Sequence, residues 1–339
     1  MGFFRSSVLV LGLVLVLPYE AIAWGPQGHE YAGAIADQLL TANARAQVKT
    51  ILGLDLRVAS TWTDCVKDVV RTRGIFHYRP DPRYHAACAV YETPEGISRM
   101  EDYVRRNWDN CQRGPKDDVC HKQYHYADVA IQHDHYDRAF TGTSDHDIVS
   151  ALQAAIAVLQ DKPVPAPFSI KDKREALFLL AHLVGDVHQP LHVGAVYLDA
   201  HDHLINPDGP GKKLDPATET RGGNSIDVGS TNLHAQWDGI SKALKPLNVS
   251  PAAIAKAKAI KQSPGAVDAW PAAWASDTVI ASHTAFRGIT YSHPGTKGHW
   301  AAHFSDRTKY LAMKRRVQSD QLIKAGARLA QLLNELWPY

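Results

Sequence analysis

The segment Ala181-His182-Leu183-Val184-Gly185-Asp186-Val187-His188-Gln189-Pro190-Leu191-His192 combines an apolar helical pattern with closely spaced histidine and aspartate residues. His182 and Asp186 are four residues apart, so on a helix they lie on the same face and can bind one metal ion. His192 follows Pro190, which ends the helical pattern. The segment therefore predicts a helix that carries metal ligands.

A second pair of the same spacing occurs in Thr231-Asn232-Leu233-His234-Ala235-Gln236-Trp237-Asp238, where His234 and Asp238 are again four residues apart. A single pair of this kind can simply form a hydrogen bond within a helix. Two such pairs, with His192 in addition, favour a metal site. The chain has 18 histidines in 339 residues, an excess that agrees with this interpretation.

Helical patterns dominate the rest of the chain. Capping residues stand ahead of apolar repeats at Ser144 to Asp147 before 148–159, at Asp172 to Glu175 before 177–187 and at Ser319 before 322–336. Alternating strand patterns are almost absent. The segment 66–119 interrupts the helical pattern, and 198–223 is a loop rich in Gly, Pro and Asp. No linker divides the chain, so residues 24–339 are predicted to form one mainly α-helical domain.

Composition indicates a soluble globular protein with a sizeable core, because 45% of the residues are hydrophobic and 21% are charged. The 37 basic and 35 acidic residues give a formal net charge of +2. This balance excludes the large positive surface of a protein that binds duplex nucleic acid over a whole face.

Residues 1–23 have the pattern of an export signal peptide. Arg5 supplies the positive start, Val8 to Leu17 form an apolar run, and Ala21-Ile22-Ala23 is a cleavage site. The apolar run is too short to span a bilayer of ~30 Å. We expect an exported protein, periplasmic or secreted, whose mature chain begins at Trp24 and has no membrane anchor.

Four cysteines fall within one stretch of the chain, at Cys65, Cys88, Cys111 and Cys120. They lack the Cys-x-x-Cys spacing of a zinc ribbon. In an exported protein they predict two disulfide bonds. Three pairings are possible, and the spacing alone does not decide among them.

The predicted mature amino terminus provides a third element, Trp24-Gly25-Pro26-Gln27-Gly28-His29. A free α-amine and an imidazole can chelate a metal ion together. Joined with the two His-x-x-x-Asp segments, this start resembles the zinc-dependent single-strand nucleases of the S1/P1 family, which share a superfamily with bacterial zinc phospholipase C. The resemblance implies a mainly α-helical domain that holds three zinc ions in a cleft.

The resemblance also assigns the ligands of each zinc ion. The first ion takes Asp64, His182, the bridging Asp186 and one further histidine; the second takes His192, His234 and Asp238; the third takes the amine and carbonyl of Trp24, with His29 and Asp186. A lone aspartate after Trp62 is often only a helix cap, but the pattern Trp62-x-Asp64-x-x-Lys67 favours a ligand.

Two histidines compete for the remaining position at the first zinc, His77 and His125. Family members have an aromatic residue after this histidine and an aspartate three residues after it. Only His125 is followed by both, as Tyr126 and Asp128. We therefore expect His125 to be the ligand and His77 to be a structural or surface residue.

The resemblance implies how these residues act. Asp64 and Asp186 would be catalytic carboxylates, and Lys67, which could otherwise be a solvated lysine, would stabilise phosphoryl oxygens. Zinc would lower the pKa of bound water towards ~7. Tyr126 and Asp128 would stack on and hydrogen-bond one base, and only an unstacked base can enter such a pocket.

The choice of His125 makes residues 66–119 an insertion between two ligands of the same zinc. A nested pairing, Cys65 with Cys120 and Cys88 with Cys111, would close the base of this insertion and hold both ligands together. We therefore expect the nested pairing.

The implied activity is hydrolysis of single-stranded DNA and RNA to 5′-phosphorylated nucleotides, with 3′-nucleotidase activity and no stable protein partner. Two alternatives stand beside it. A zinc phospholipase C would use nearly the same ligands, but that group has Glu at the position of Asp238 and lacks Asp128. A non-catalytic zinc-binding protein would more naturally carry a histidine-rich tract.

Overall fold

The computed structural model describes residues 24–114, 117–211, 213–293 and 298–338, so the predicted export signal lies outside it. The chain is mainly α-helical, which confirms the predicted fold class. The helices are α1 (Pro26–Leu39), α2 (Ala42–Leu52), α3 (Leu56–Ala59), α4 (Trp62–Cys65), α5 (His85–Cys88), α6 (Pro94–Arg106), α7 (Cys120–Gln123), α8 (Ile148–Leu159), α9 (Lys173–Asp186), α10 (Pro190–Val193), α11 (Leu233–Asp238), α12 (Pro251–Lys258), α13 (Trp270–Ala285) and α14 (Arg307–Leu336). Within the described ranges, no helix combines the length and apolarity needed to cross a membrane.

Helix α9 lies at the centre of the fold. Every residue from Glu175 to Asp186 is buried, as expected of a helix that is surrounded by others. It packs against α8, α14, α2 and α4, and Phe178 stacks on Trp62 of α4 at 4.9 Å between ring centroids. The predicted cap is present, because the Asp172 side chain accepts a hydrogen bond from the Glu175 amide.

Two helix starts differ from their predictions. Helix α8 is capped by Asp147 rather than by Ser144, since the Asp147 carboxylate accepts from the amides of both Ser144 and Ser150. Helix α14 begins at Arg307, well before Ser319, and is capped by Asp306. The apolar repeat missed this start because the buried side of its first turns carries polar residues, which are named below with the site.

The strands are β1 (Val69–Thr72), β2 (Ile75–Tyr78), β3 (Val129–Ala130), β4 (Gly194–Ala195), β5 (Tyr197–Leu198), β6 (Leu204–Ile205), β7 (Ile226–Val228), β8 (Thr231–Asn232), β9 (Ile289–Ser292) and β10 (Trp300–Phe304). Four of them form a sheet in the order β8-β7-β10-β9, in which only β7 and β10 are parallel. β1 and β2 form an antiparallel hairpin. Strands this short do not give an alternating sequence pattern, which is why the sequence did not predict them.

The segment 66–119 holds the β1–β2 hairpin and the 13-residue helix α6, so it interrupts the helical pattern only in part. Its disulfides join Cys65 to Cys88 and Cys111 to Cys120, and the nested pairing was wrong. Cys65 and Cys88 end the adjacent helices α4 and α5, with Cα atoms 5.6 Å apart, so each bond closes a local loop. Backbone hydrogen bonds from the amides of Cys120 and His121 to the carbonyl oxygens of Trp108 and Asn107 fasten the same loop that the Cys111–Cys120 bond closes.

Candidate metal centre

Buried histidine and aspartate side chains form three groups in which the ligand atoms lie within 4.8 Å of one another. The groups are His29 with Asp64 and His182, His125 with His182 and Asp186, and His192 with His234 and Asp238. The structure therefore brings together all the side-chain ligands that the sequence assigned. His77 lies elsewhere, half-buried in β2.

Asp186 lies between the first two groups. Its Oδ2 is 2.8 Å from His125 Nδ1 and 3.0 Å from His182 Nε2, whereas its Oδ1 is 3.2 Å from His29 Nε2. Asp64 faces the same space, with oxygens 3.7 Å from His182 Nε2 and 4.0 Å from His29 Nε2. A carboxylate that turns its two oxygens to different imidazoles is placed to bridge two cations.

Helices α9 and α1 approach closely to make this arrangement. The i, i+4 spacing puts His182 and Asp186 on one face of α9, and α1 brings His29 onto that face. The His29 and His182 rings stack at 3.7 Å between centroids. A Cβ at Gly185 would lie 2.8 Å from His29 Nδ1, so the contact requires glycine at this position.

The third group lies at the junction of α10 and α11. The Nε2 atoms of His192 and His234 are 3.0 Å apart, and Asp238 Oδ2 is 3.7 Å from His234 Nε2. Gln189 donates a hydrogen bond to Asp238 Oδ1 at 2.8 Å and leaves Oδ2 facing the histidines. The short helix α11 thus presents His234 and Asp238 on one side, as their spacing predicted.

Backbone carbonyls orient three of the imidazoles. The Nδ1 atoms of His182, His192 and His234 donate to the oxygens of Ser60, His125 and Gly222 at 2.7, 2.7 and 2.8 Å. A proton held on Nδ1 leaves Nε2 with a free lone pair directed at the neighbouring ligands. Histidines that bind metal typically have their other ring nitrogen held by a hydrogen bond of this kind.

The centre contains buried polar atoms that have no hydrogen-bond partner among the described residues. They are His29 Nδ1 and Nε2, Asp64 Oδ2, His125 Nε2, Asp186 Oδ1 and Asp238 Oδ2. Each unsatisfied buried group costs about 1–3 kcal/mol. Imidazole nitrogens and carboxylate oxygens are donors that zinc prefers, so these residues fit metal ions well.

Protonation states in the centre also suit a cation. Burial lowers the pKa of both His125 and His234 to about 3, which keeps the imidazoles neutral. Burial alone would raise the pKa of Asp64, but Lys67 and then the neighbouring histidines lower it to about 2. Burial raises the pKa of Asp238 well above its usual value, and a bound cation would offset this by favouring the ionised carboxylate.

The first residues after the predicted cleavage site lie against the ligand helices. Trp24 is fully buried, and its Nε1 donates to the Gly185 carbonyl of α9 at 2.8 Å. The Gly25 amide donates to the backbone oxygen of Asp238 at the end of α11, at 3.1 Å. Residues 24–29 therefore connect α9 with α11.

The residues predicted to bind substrate lie beside the centre. Lys67 Nζ is 2.8 Å from Asp64 Oδ1. Tyr126 and Asp128 are half-buried, and a Cβ at Gly222 would lie 3.3 Å from Asp128 Oδ1 and 3.2 Å from His234 Nδ1. Asp128 thus adjoins the group of His192, and burial, followed by Glu219, raises its pKa to about 7.

The residues that hold α11 in place were not predicted from the sequence. Lys314 Nζ donates to the backbone oxygens of Gln236 and Gly239 at 2.5 and 3.0 Å, and Gln318 Nε2 donates to those of Trp237 and Gly239 at 2.5 and 3.0 Å. Both side chains come from the buried side of α14. Hydrogen bonds to backbone oxygens leave no pattern in the sequence of α11. The one available signal was the pair Lys314 and Gln318, which are four residues apart on α14.

The fold and the site define a class of protein, a mainly α-helical one with three buried groups of candidate metal ligands among the described residues. The sequence profile of the S1/P1 nuclease family matches residues 24–104 and 101–338. The chain belongs to this family.

Three relatives from Arabidopsis thaliana agree with this assignment. Endonuclease 1 is 26% identical over 247 residues, which cover 69% of this chain and 60% of that protein. Endonuclease 4 is 25% identical over 345 residues, 94% of this chain and 90% of the relative, and endonuclease 5 is 25% identical over 359 aligned residues, 98% and 95%. The prediction of an enzyme that hydrolyses phosphoric ester bonds is confirmed at this level.

Proposed function

We propose that the protein is an exported, zinc-dependent nuclease that cleaves single-stranded DNA and RNA to 5′-phosphorylated nucleotides and acts on 3′-nucleotides. The observation that carries the proposal is the set of ligand groups around Asp186, in which six buried polar atoms find no hydrogen-bond partner within the described chain. A centre of this composition would hold three ions through Trp24, His29, Asp64, His125, His182, Asp186, His192, His234 and Asp238.

The ions, when bound, would supply a water of lowered pKa and charge neutralisation at the phosphoryl oxygens. The protein's own residues do the rest. Lys67 is held against Asp64 and keeps a fixed positive charge at the edge of the centre, where it stabilises charge that develops on a phosphate. Gln189 keeps the Asp238 carboxylate oriented during the reaction.

Selectivity for single strands is proposed from the position of Tyr126 and Asp128. Asp128 adjoins the metal centre at Gly222, Tyr126 directly follows the candidate ligand His125, and both side chains are half-buried, so a base must leave its stack to contact them. A paired and stacked base would have to be extracted at a cost of a few kcal/mol. An unpaired base reaches the same pocket without that cost.

Export is supported by the two disulfides, since such bonds persist in oxidising compartments. The predicted signal at residues 1–23 points the same way. We therefore propose a periplasmic or secreted enzyme.

The proposal is tested on purified protein that begins at Trp24. The substrates are a single-stranded DNA, the matching RNA, the corresponding duplex, a 3′-mononucleotide and phosphatidylcholine vesicles, each with zinc or with chelator. We expect cleavage of both single strands and of the 3′-mononucleotide, slower cleavage of the duplex, loss of activity with chelator and recovery with zinc. Hydrolysis of phosphatidylcholine alone would show a phospholipase C, and chelator-resistant activity would overturn the zinc assignment.

A further inference from the structure

A basic segment adjoins the metal centre on one side. Residues 67–88, which we call the hairpin segment, contain five basic residues and two acidic ones, a net +3 in a chain whose formal net charge is +2. The basic residues are Lys67, Arg71, Arg73, Arg79 and Arg83. The segment is therefore locally basic, although the protein as a whole is nearly neutral.

Both ends of the hairpin segment lie at the metal centre. Lys67 contacts Asp64 at its start, and Cys88 at its end is bonded to Cys65, the neighbour of Asp64. The segment is a loop that leaves the candidate active site and returns to it.

The hairpin within the segment has a defined shape. Thr72 pairs with Ile75, and the intervening Arg73 and Gly74 have φ of 51° and 85°, which is the two-residue turn favoured by twisted strands. Phe76 packs edge-on against Trp108 at 5.2 Å between ring centroids. The four residues of β1 span roughly 13 Å, so the turn holds Arg73 at about that distance from the start of the strand.

The four arginines of the segment differ in whether an acidic side chain pairs with them. Arg71 and Arg83 form ion pairs with Asp109 and Asp81. Arg73 and Arg79 are exposed, and neither forms an ion pair with any residue in the described ranges. Exposed guanidinium groups on a rigid backbone are well suited to phosphate, because they bind its oxygens in a bidentate way.

We infer that the hairpin segment is a second binding surface for the nucleic-acid strand, and that Arg73 and Arg79 contact phosphates several nucleotides away from the bond that is cut. The inference rests on the proposed function and extends it. At 3.4 Å for each stacked nucleotide, about four nucleotides cover the length of β1. A dinucleotide at the metal centre is too short to reach the turn, whereas a long single strand reaches it.

The test compares the double variant Arg73→Asn/Arg79→Gln with the control Arg307→Gln/Arg316→Gln. Asparagine is chosen because it tolerates the positive φ at position 73. The control removes two exposed arginines from α14, which packs on α1 and α9. For the hairpin variant we expect kcat/KM on a single-stranded 20-mer to fall about five- to tenfold at low salt, with a dinucleotide cleaved as before. The salt dependence of binding should weaken by roughly 0.7 in log–log slope for each arginine lost.

Binding of a fluorescent phosphorothioate 20-mer, which resists hydrolysis, provides a readout that does not depend on activity. Weaker binding by the hairpin variant alone supports the inference even if the protein cleaves no substrate, and that second result would refute only the proposed function. Equal losses on the 20-mer and the dinucleotide would overturn the inference, because the arginines would then act through the metal centre. Equal losses in the control variant would also overturn it, because the effect would then come from net charge.

Discussion

The imidazoles of the metal centre present different nitrogens, and their surroundings explain the difference. His182, His192 and His234 donate Nδ1 to carbonyl oxygens and present Nε2. His125 instead places Nδ1 2.8 Å from Asp186, and its buried Nε2 finds no partner in the described chain. Since no carbonyl of a described residue bonds to the His125 ring, we expect its position to depend on Asp186 and on a bound ion.

Replacing His125 is therefore expected to affect the centre far more than replacing His77. His125→Ala should lose about one zinc per chain and lower the cleavage rate at least a hundredfold, the effect of removing several kcal/mol of transition-state stabilisation. His77→Ala is the matched control and should keep both properties, because His77 lies in β2, outside the ligand groups. Mass spectrometry measures the zinc content of each variant, and cleavage of a single-stranded substrate measures its activity. The opposite order would show that the first zinc uses His77.

Asp128 provides a pH-dependent prediction. Its folded-state pKa of about 7 lies above the usual value, so between about pH 4 and pH 7 the folded chain holds a proton that the unfolded chain has released. The free energy of unfolding therefore falls as the pH rises through this range, and Asp128→Asn lacks this contribution. In zinc-free protein, the stability of Asp128→Asn relative to wild type should rise by about 1–2 kcal/mol between pH 5 and pH 8, with allowance for partial exposure.

Urea denaturation of the two proteins at several pH values measures this difference. A constant gap between them would contradict the raised pKa. The zinc content of Asp128→Asn should equal that of wild type, since the carboxylate is assigned to the base and not to the metal. A loss of zinc would show that Asp128 belongs to the ligand set.

At the scale of elements, α11 is a short helix whose position is fixed by contacts from other parts of the chain. It has only six residues, far fewer than an isolated helix needs to be stable in water. The Asn232 side chain caps its start, and Lys314 and Gln318 of α14 hold its last carbonyls. The position of His234 and Asp238 therefore depends on a helix about 75 residues further along the chain.

Lys314→Met keeps the length of the side chain but removes its hydrogen bonds. We expect a loss of about 1–3 kcal/mol in stability, because the carbonyls of Gln236 and Gly239 lose a charged donor. Zinc at the His192 group should also be removed by a competing chelator at lower concentration. Lys309→Met, at an exposed position of the same helix, is the control and should change neither property. Unchanged chelator resistance in Lys314→Met would show that α11 does not need this contact.

Sequence patterns predicted those elements whose own side chains carry the signal. Helix α9 was predicted because its cap, its apolar surface and its ligands all lie within one segment. The start of α14 was missed because Lys314 and Gln318 occupy its buried side, where the pattern expects apolar residues. The cysteine pairing was wrong because four cysteines allow three pairings, and the fold of α4 onto α5 decides among them.

At the scale of the whole molecule, the centre joins segments that are far apart in sequence. Candidate ligands, or contacts that orient them, come from residues 24–29, 60–67, 125–128, 182–192 and 222–238. Spacing within a helix predicts a pair of ligands, but it does not say which pairs meet. The resemblance to a family supplied that order. The carbonyls of Ser60 and Gly222 could not be predicted, since a backbone oxygen exists at every residue.

If residues 1–23 are removed on export, the new amino terminus at Trp24 would connect export with activity. Trp24 is buried between the ligand helices, and the amide of the next residue bonds to the backbone oxygen of Asp238. If the Trp24 α-amine is a zinc ligand, a residue before Trp24 must abolish this coordination. The amine then becomes an amide nitrogen, which has no available lone pair. The precursor would then lack one zinc and stay nearly inactive until the signal peptide is removed after Ala23.

A protein with one extra alanine before Trp24 tests this coupling, and one with an extra alanine after Tyr339 is the control. We expect the amino-terminal addition to leave a folded protein with about one zinc fewer and at least a hundredfold lower activity, because a metal that stabilises the phosphoryl charge is missing. The carboxyl-terminal addition should change neither. Full zinc content and full activity, with the extra alanine verified by mass spectrometry, would mean that Trp24 acts through its buried indole alone and that cleavage only releases the chain.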